Sequence, residues 1–155
     1  MSEDYNKKIF VTVGTTNYDN LIQFCDNKLN KKKYSFIFQI GNGKYIPKNH
    51  QYFTYTSNID DYYSKADIII THAGAGTVYK LLEESKDVIV VPNLNLIDDH
   101  QKELASFVDQ NSYAPVIYCL NELPSAIDSF ETTSLKKYEN DSSALIESIV
   151  EILQK

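Results

Sequence analysis

Two stretches of this 155-residue chain have the residue types and spacing to handle an anionic, hydroxyl-bearing ligand. The first is Thr71-His72-Ala73-Gly74-Ala75-Gly76-Thr77, which follows Ile68-Ile69-Ile70. Unalternating β-branched residues mark a strand covered on both faces inside a parallel sheet. Ligands of open α/β sheets bind beyond the carboxyl ends of the strands. There the next helix presents unpaired backbone N–H groups and the positive end of its dipole. Gly74 and Gly76 lack a Cβ, so a phosphate can approach that backbone, and Thr77 adds a hydroxyl in the first turn. The same spacing also suits a tight strand-to-helix turn packed under a neighbour, and a short Gly-x-Gly does not decide between the two. The second stretch is His100-Gln101-Lys102-Glu103, at the start of a helix that Asp98 or Asp99 can cap. These polar groups suit the reading of ligand hydroxyls. They equally suit a solvated helix face with Leu104, Phe107 and Val108 turned inward.

The elements that must position these residues follow from periodicity. Strands are expected at residues 8–13, 34–40, 51–55, 66–70, 88–91 and 113–118. The first ends at Gly14-Thr15-Thr16, which places hydroxyls in a strand-to-helix loop. Helices are expected at 18–30, with Asn17 or Asp19 as N-cap, and at 59–66, 78–84, about 98–110, 121–130 and 142–153. Pro124 falls in the first turn of the fifth. Gly41-Asn42-Gly43 leads into a loop and reads as a flexible turn, Asn93 opens the loop after the fifth strand, and residues 131–141 are polar. Short links between alternating strands and helices imply right-handed crossovers and a parallel sheet. The expected fold is therefore α/β, a Rossmann-like three-layer parallel sheet with flanking helices in a single domain spanning residues 1–155.

Composition narrows the function. A formal charge of -6 argues against a nucleic-acid binder, because neutralising phosphates needs clustered Lys and Arg. The one basic run, Lys31-Lys32-Lys33, reads as a solvated loop. No apolar run reaches the ~18 residues of a membrane span, and the first residues are too polar for a signal peptide. A soluble, cytoplasmic chain is expected. Cys25 and Cys119 lie far apart without metal-ligand spacing, so two reduced, buried thiols are expected and no metal site. A dinucleotide-binding first turn would need Gly-x-Gly-x-x-Gly, but only Gly14 is present there, which argues against an oxidoreductase.

Five motifs, in order and with short gaps, resemble a known family: Val11-Thr12-Val13-Gly14-Thr15-Thr16, Gln39-Ile40-Gly41-Asn42-Gly43, His72-Ala73-Gly74-Ala75-Gly76-Thr77, Val90-Val91-Pro92-Asn93 and His100-Gln101-Lys102-Glu103-Leu104. Across about residues 8–123 they resemble the Alg13-like or PssE-like glycosyltransferase subunits, in the neighbourhood of MurG. These subunits correspond to the C-terminal, donor-binding half of a GT-B enzyme. The resemblance implies half an active site, completed by an Alg14-like or PssD-like membrane-associated subunit that recruits the chain to the cytoplasmic membrane face. It implies a UDP-sugar donor, a lipid-linked acceptor and no cofactor or metal.

By the same resemblance the turn His72, Ala73, Gly74, Ala75, Gly76 and Thr77 would hold the donor diphosphate, with Gly14, Thr15 and Thr16 near it. The backbone around Asn58 and Ile59 would meet the uracil, His100, Gln101 and Glu103 would reach the donor sugar, Asn93 and Lys80 belong to the same donor-binding set, and the catalytic base would come from the partner, with His72 as the local alternative. Two departures stand out. Relatives usually carry a Glu eight residues after the motif histidine, where this chain has Lys80, and Ser85-Lys86-Asp87 replaces the usual Gly-Lys-Pro. Lysine has donors only and cannot accept from a ribose diol. Lys80 either pairs with a phosphate or marks a chain that keeps only its partner interface. The resulting readings are the donor-binding subunit of a two-component glycosyltransferase and a non-catalytic accessory subunit that stabilises or recruits a partner enzyme.

Overall fold

The computed structural model describes residues 6–95, 99–138 and 149–154. Its chain divides into two compact units, Met1–Ile70 and Thr71–Lys155. The strands form one sheet in the order β3-β2-β1-β4-β5. Helices flank it, giving the expected Rossmann-like α/β architecture.

The first unit contains β1 (Lys7–Thr12), α1 (Asp19–Lys28), β2 (Tyr34–Gln39), β3 (Gln51–Phe53), α2 (Ile59–Lys65) and all but the last residue of β4 (Ile68–Thr71). β1 runs parallel to β2, with Ile9 opposite Phe36 and Val11 opposite Phe38, and β2 runs parallel to β3. Leu21, Ile22 and Cys25 of α1 are fully buried, as the 3.6-residue stripe requires. Phe10 stacks on Tyr62 of α2 at 5.3 Å and meets Tyr63 edge-on at 5.8 Å, so α2 packs on the strand through aromatic contacts.

The link from β2 to β3 has no helix, and a buried carboxylate organises it instead. Asp26, inside α1 and without solvent exposure, accepts hydrogen bonds from the Tyr45 hydroxyl at 2.7 Å, Lys48 N–H at 2.8 Å and Asn49 N–H at 3.1 Å. His50 Nδ1 lies 3.0 Å from Asp26 Oδ1, the oxygen that Asn49 N–H also reaches, and carries the proton there, because an ionised carboxylate only accepts. Burial raises the Asp26 pKa, but the bonds from Lys48, Tyr45, His50 and Asn49 outweigh it and hold the carboxyl below its ordinary value. The His50 ring also stands edge-on to Phe36 and Phe38.

The second unit contains α3 (Ala75–Glu83), β5 (Val88–Val90), α4 (His100–Gln110) and α5 (Leu123–Asp128), with 3-10 turns at Leu120–Glu122 and Phe130–Thr132. Residues 149–154 are helical. Its core comprises Val78, Leu81, Val88, Ile89, Val90, Leu104, Val108, Leu123 and Ile127. Tyr138 packs edge-on to Tyr113 at 5.4 Å and Tyr79 at 6.1 Å, and burial pushes its hydroxyl up to about 12.

Several expectations change. The strand at 113–118 reduces to a single parallel bridge between Val116 and Val90. Pro115 has no N–H to continue the ladder, although its carbonyl accepts from Val90 N–H at 2.9 Å. The helix expected at 78–84 starts at Ala75, so Gly76 lies in its first turn. Neither Asn17 nor Asp19 caps α1, whose N-cap is Tyr18. The Asp19 carboxylate instead accepts from the N–H groups of Lys44 and Tyr45. Cys25 is buried, which pushes its thiol up, but Cys119 is exposed, correcting the expectation of two buried thiols. Asp98 and most of the expected C-terminal helix, residues 142–148, lie outside the described residues.

Candidate functional site

In the second unit the site is built on the end of β4. Thr71 and His72 are buried, and the Thr71 hydroxyl lies 3.3 Å from His72 Nδ1. The imidazole packs beneath Gly74, where a Cβ would come within 2.4 Å of Nε2 and 2.8 Å of Cε1. Gly74 is therefore required by the histidine ring. It is also the N-cap of α3, in extended conformation, and no side chain caps this helix. The first turn carries no acidic residue, so the N–H groups and dipole at Ala75, Gly76 and Thr77 remain uncompensated by charge within that turn. Gly76 is exposed, and a Cβ there would meet nothing within 4 Å. No packing contact among the described residues explains that glycine.

Gln101 fastens this turn to the loop after β5. Its side chain is buried at 8% exposure, and Oε1 accepts from Asn93 N–H at 2.9 Å and from Ala73 N–H at 3.3 Å. Three expected site residues are thus joined by one amide, and the Gln101 carbonyl oxygen serves the fastening. Val91 N–H donates to the Thr71 carbonyl at 2.8 Å and ties the same two segments closer to the core. His100 is the first residue of α4 and Glu103 lies in its first turn, both half-buried. Lys80 lies in the last turn of α3, four residues after Gly76. Residues i and i+4 share a helix face and side chains lean toward the N-terminus, so Lys80 stands on the face that Gly76 leaves open.

In the first unit, Gly14 has a φ of 64°, a left-handed conformation that turns the chain sharply after β1. Thr15 and Thr16 are exposed, and the Thr16 hydroxyl donates to the Val13 carbonyl at 2.8 Å. Asn58 is the N-cap residue of α2 without a side-chain cap, and Ile59 begins that helix. Asn58 lines a pocket of about 500 Å³ beside Thr56, Asp61, Tyr62, Lys65 and Phe10. Among the described residues no cluster of His, Cys, Asp and Glu could hold a metal ion, and no helix is long and apolar enough to cross a membrane.

Residues 8–155 match the model of the glycosyltransferase family 28 C-terminal domain. The chain belongs to this family. It is similar to the UDP-N-acetylglucosamine transferase subunit ALG13 of Homo sapiens, 36% identical over 126 residues that cover 73% of this chain and 11% of the relative. ALG13 of Candida albicans is 33% identical over 94 residues, covering 61% of this chain and 32% of that protein. The chain thus spans a third or less of these curated relatives. Among solved structures, the NMR structure of ALG13 superposes with a TM-score of 0.64 at 19% identity, covering 93% of this chain and 96% of that one. The crystal structure of Acinetobacter baumannii MurG superposes with a TM-score of 0.64 at 21% identity, covering 99% of this chain but 49% of the larger protein. These two likenesses show the fold, and the second places it on about half of a longer chain.

One buried residue that shapes the loops at the strand ends, Gln39, escapes sequence reasoning as a functional candidate. The available signal was a polar residue closing an otherwise apolar strand, since a buried amide or hydroxyl at a strand end must find partners in the adjoining loops.

Proposed function

We propose that this chain is the donor-binding subunit of a two-component glycosyltransferase that uses a UDP-sugar and a lipid-linked acceptor. The observation that carries the reading is the uncapped, acid-free start of α3, where a Cβ on Gly76 would meet no described atom within 4 Å and the backbone lies open. In a family 28 C-terminal domain that start is suited to the diphosphate of a nucleotide sugar. The names of the relatives, which specify UDP-N-acetylglucosamine transfer, support this donor class. The word subunit in the names of these relatives supports a cleft completed by another chain. The partner reading remains an Alg14-like or PssD-like membrane-associated subunit, which would bring the chain to the cytoplasmic membrane face.

In the proposed reaction the acceptor hydroxyl attacks C1 of the donor sugar, the bond from C1 to the β-phosphate oxygen breaks, and its electron pair leaves with UDP. The N–H groups at the start of α3 stabilise the charge developing on the leaving diphosphate, and Lys80 adds a cation on the same helix face. The hydroxyl's proton passes to a base supplied by the partner. His72, buried beneath Gly74 and beside Thr71, serves as the floor of the turn.

Lys80 favours the second reading, an accessory chain without donor binding, and one titration separates the two. The chain, alone and co-purified with its partner subunit, is titrated calorimetrically with UDP and a panel of UDP-sugars beside Gly76→Val and Lys80→Glu. Binding by the wild type that Gly76→Val abolishes is expected. Silence of the wild type in both forms, with binding gained by Lys80→Glu, would assign the accessory role.

A further inference from the structure

Gly41-Asn42-Gly43, which reads as a flexible turn in the sequence, forms with Gln39 at the end of β2 a clamp on the loop after β1. Gln39 Nε2 donates to the Gly14 carbonyl at 2.8 Å and to the Thr54 carbonyl at 3.2 Å. Asn42 Nδ2 donates to the Thr15 carbonyl at 2.9 Å, and Asn42 N–H to the Thr16 carbonyl at 3.3 Å. Three successive carbonyls of the β1 loop are thereby turned toward the β2 loop. Gly41, with a φ of 57°, permits the contact: a Cβ there would lie 2.4 Å from the Thr16 oxygen and 2.7 Å from that of Gly14. The Gln39 amide is itself oriented by the Thr12 hydroxyl, which donates to Oε1 and so assigns the donor group to the Gly14 side. Gln39 is buried, whereas Asn42 is exposed.

In a planar trans peptide the C=O and N–H bonds point in opposite directions. The Gly14 carbonyl shares its peptide with Thr15 N–H, and the Thr16 carbonyl with Asn17 N–H. We infer that Gln39 and Asn42 are positioning residues: by holding the carbonyls of Gly14, Thr15 and Thr16 toward β2, they turn the N–H groups of Thr15 and Asn17 the opposite way, to donate to an oxyanion, a phosphate. Unclamped, this loop can present carbonyl oxygens, which repel a phosphate. Clamped, it presents donors, the arrangement of an anion-binding backbone concavity. The inference rests on the donor-binding reading for the identity of the anion, but its geometry stands within the first unit alone.

Backbone amide chemical shifts of the purified chain, titrated with inorganic pyrophosphate, UDP and uridine, test it in the wild type, Asn42→Ala and Asn42→Asp. UDP and pyrophosphate are expected to shift Thr15 and Asn17, whereas uridine is not. Asn42→Ala should weaken UDP about fivefold, the loss of one positioning hydrogen bond. Asn42→Asp, equal in size but unable to donate, should weaken it about tenfold or more. Uridine affinity should stay within about twofold, a split between the two ligands that general loosening of the fold would not produce. Shifts at Gly76 and Thr77 without any at Thr15 and Asn17 would overturn the clamp inference and leave the donor reading standing. Pyrophosphate shifts at Thr15 and Asn17 that Asn42→Asp removes, in a chain blind to UDP, would support the clamp and sink the donor reading. Equal loss of UDP and uridine affinity in Asn42→Ala would reduce Asn42 to a structural residue.

Discussion

Gly41-Asn42-Gly43 and Gly74-Ala75-Gly76 have the same spacing, yet the chain uses them differently. In the first, both glycines answer to the protein itself. A Cβ at Gly41 would strike the Thr16 and Gly14 carbonyls, and one at Gly43 would meet Asp19 Oδ1 at 2.6 Å and the Ile40 carbonyl at 2.9 Å. In the second, Gly74 answers to the His72 ring, whereas Gly76 answers to nothing within 4 Å. A glycine demanded by its neighbours reports on folding, and one with empty space around it is open to a ligand. By that measure only Gly76 of these four is a candidate for close ligand approach. The first motif acts by shaping a loop, the second by leaving one helix end uncovered.

Substitution to alanine should separate the four in order of effect. Gly41→Ala combines a left-handed backbone with clashes against carbonyl oxygens, and should destabilise the chain by about 2–4 kcal/mol in urea unfolding. A near-neutral result would mean that the β1 and β2 loops are not clamped as described. Gly74→Ala should lose about 2 kcal/mol through the His72 contact. The double variant with His72→Ala should recover about 1 kcal/mol or more of that loss as coupling energy, and simple additivity would show that the ring is not what excludes a side chain. Gly76→Ala should leave stability within about 0.5 kcal/mol or raise it, since alanine is the better helix former. It should nonetheless weaken UDP about tenfold if the backbone there meets a phosphate, a loss comparable to one charge-assisted hydrogen bond. Unchanged UDP affinity would remove Gly76 from the site.

The loop that carries the first motif also predicts a pH dependence. Asp26 has its pKa held below the ordinary carboxylate value in the folded chain, so the native state binds fewer protons than the unfolded one in that range. Its contribution is complete above the unfolded carboxylate pKa and is lost as pH falls through the folded value. Thermal melting should therefore drop on acidification below the ordinary carboxylate range. Asp26→Asn should be less stable at neutral pH by about 1–3 kcal/mol, because the amide keeps one acceptor oxygen and turns an NH2 group, which cannot accept, toward the donors on the other side, and should show a shallower acid limb. A parallel acid limb in the variant would assign that limb to other carboxylates.

Strands β1, β2, β4 and β5 were legible because β-branched and aromatic runs have few alternatives inside a parallel sheet. The strand at 113–118 was misread for the same reason: Tyr113, Val116, Ile117 and Tyr118 have strand-forming side chains, but Pro115 interrupts the donors and only one bridge forms. Capping was misread at α1 because an aspartate in a first turn has two uses, and Asp19 takes a backbone segment more than twenty residues away, at Lys44 and Tyr45. Cys119 was misplaced because burial of a lone thiol depends on what packs over it, which its own sequence neighbours do not encode.

By itself, the sequence determined the alternation of strands and helices and the parallel α/β class, and it singled out two candidate stretches for chemistry. These depend on periodicity and on backbone preferences, which act over a few residues. Tertiary structure decided that packing demands Gly41, Gly43 and Gly74 but not Gly76, that Gln101 joins Ala73 to Asn93, and that Gln39 and Asn42 restrain Gly14, Thr15 and Thr16. Those facts depend on which distant atoms a Cβ or an amide meets, and local sequence carries no information about that meeting.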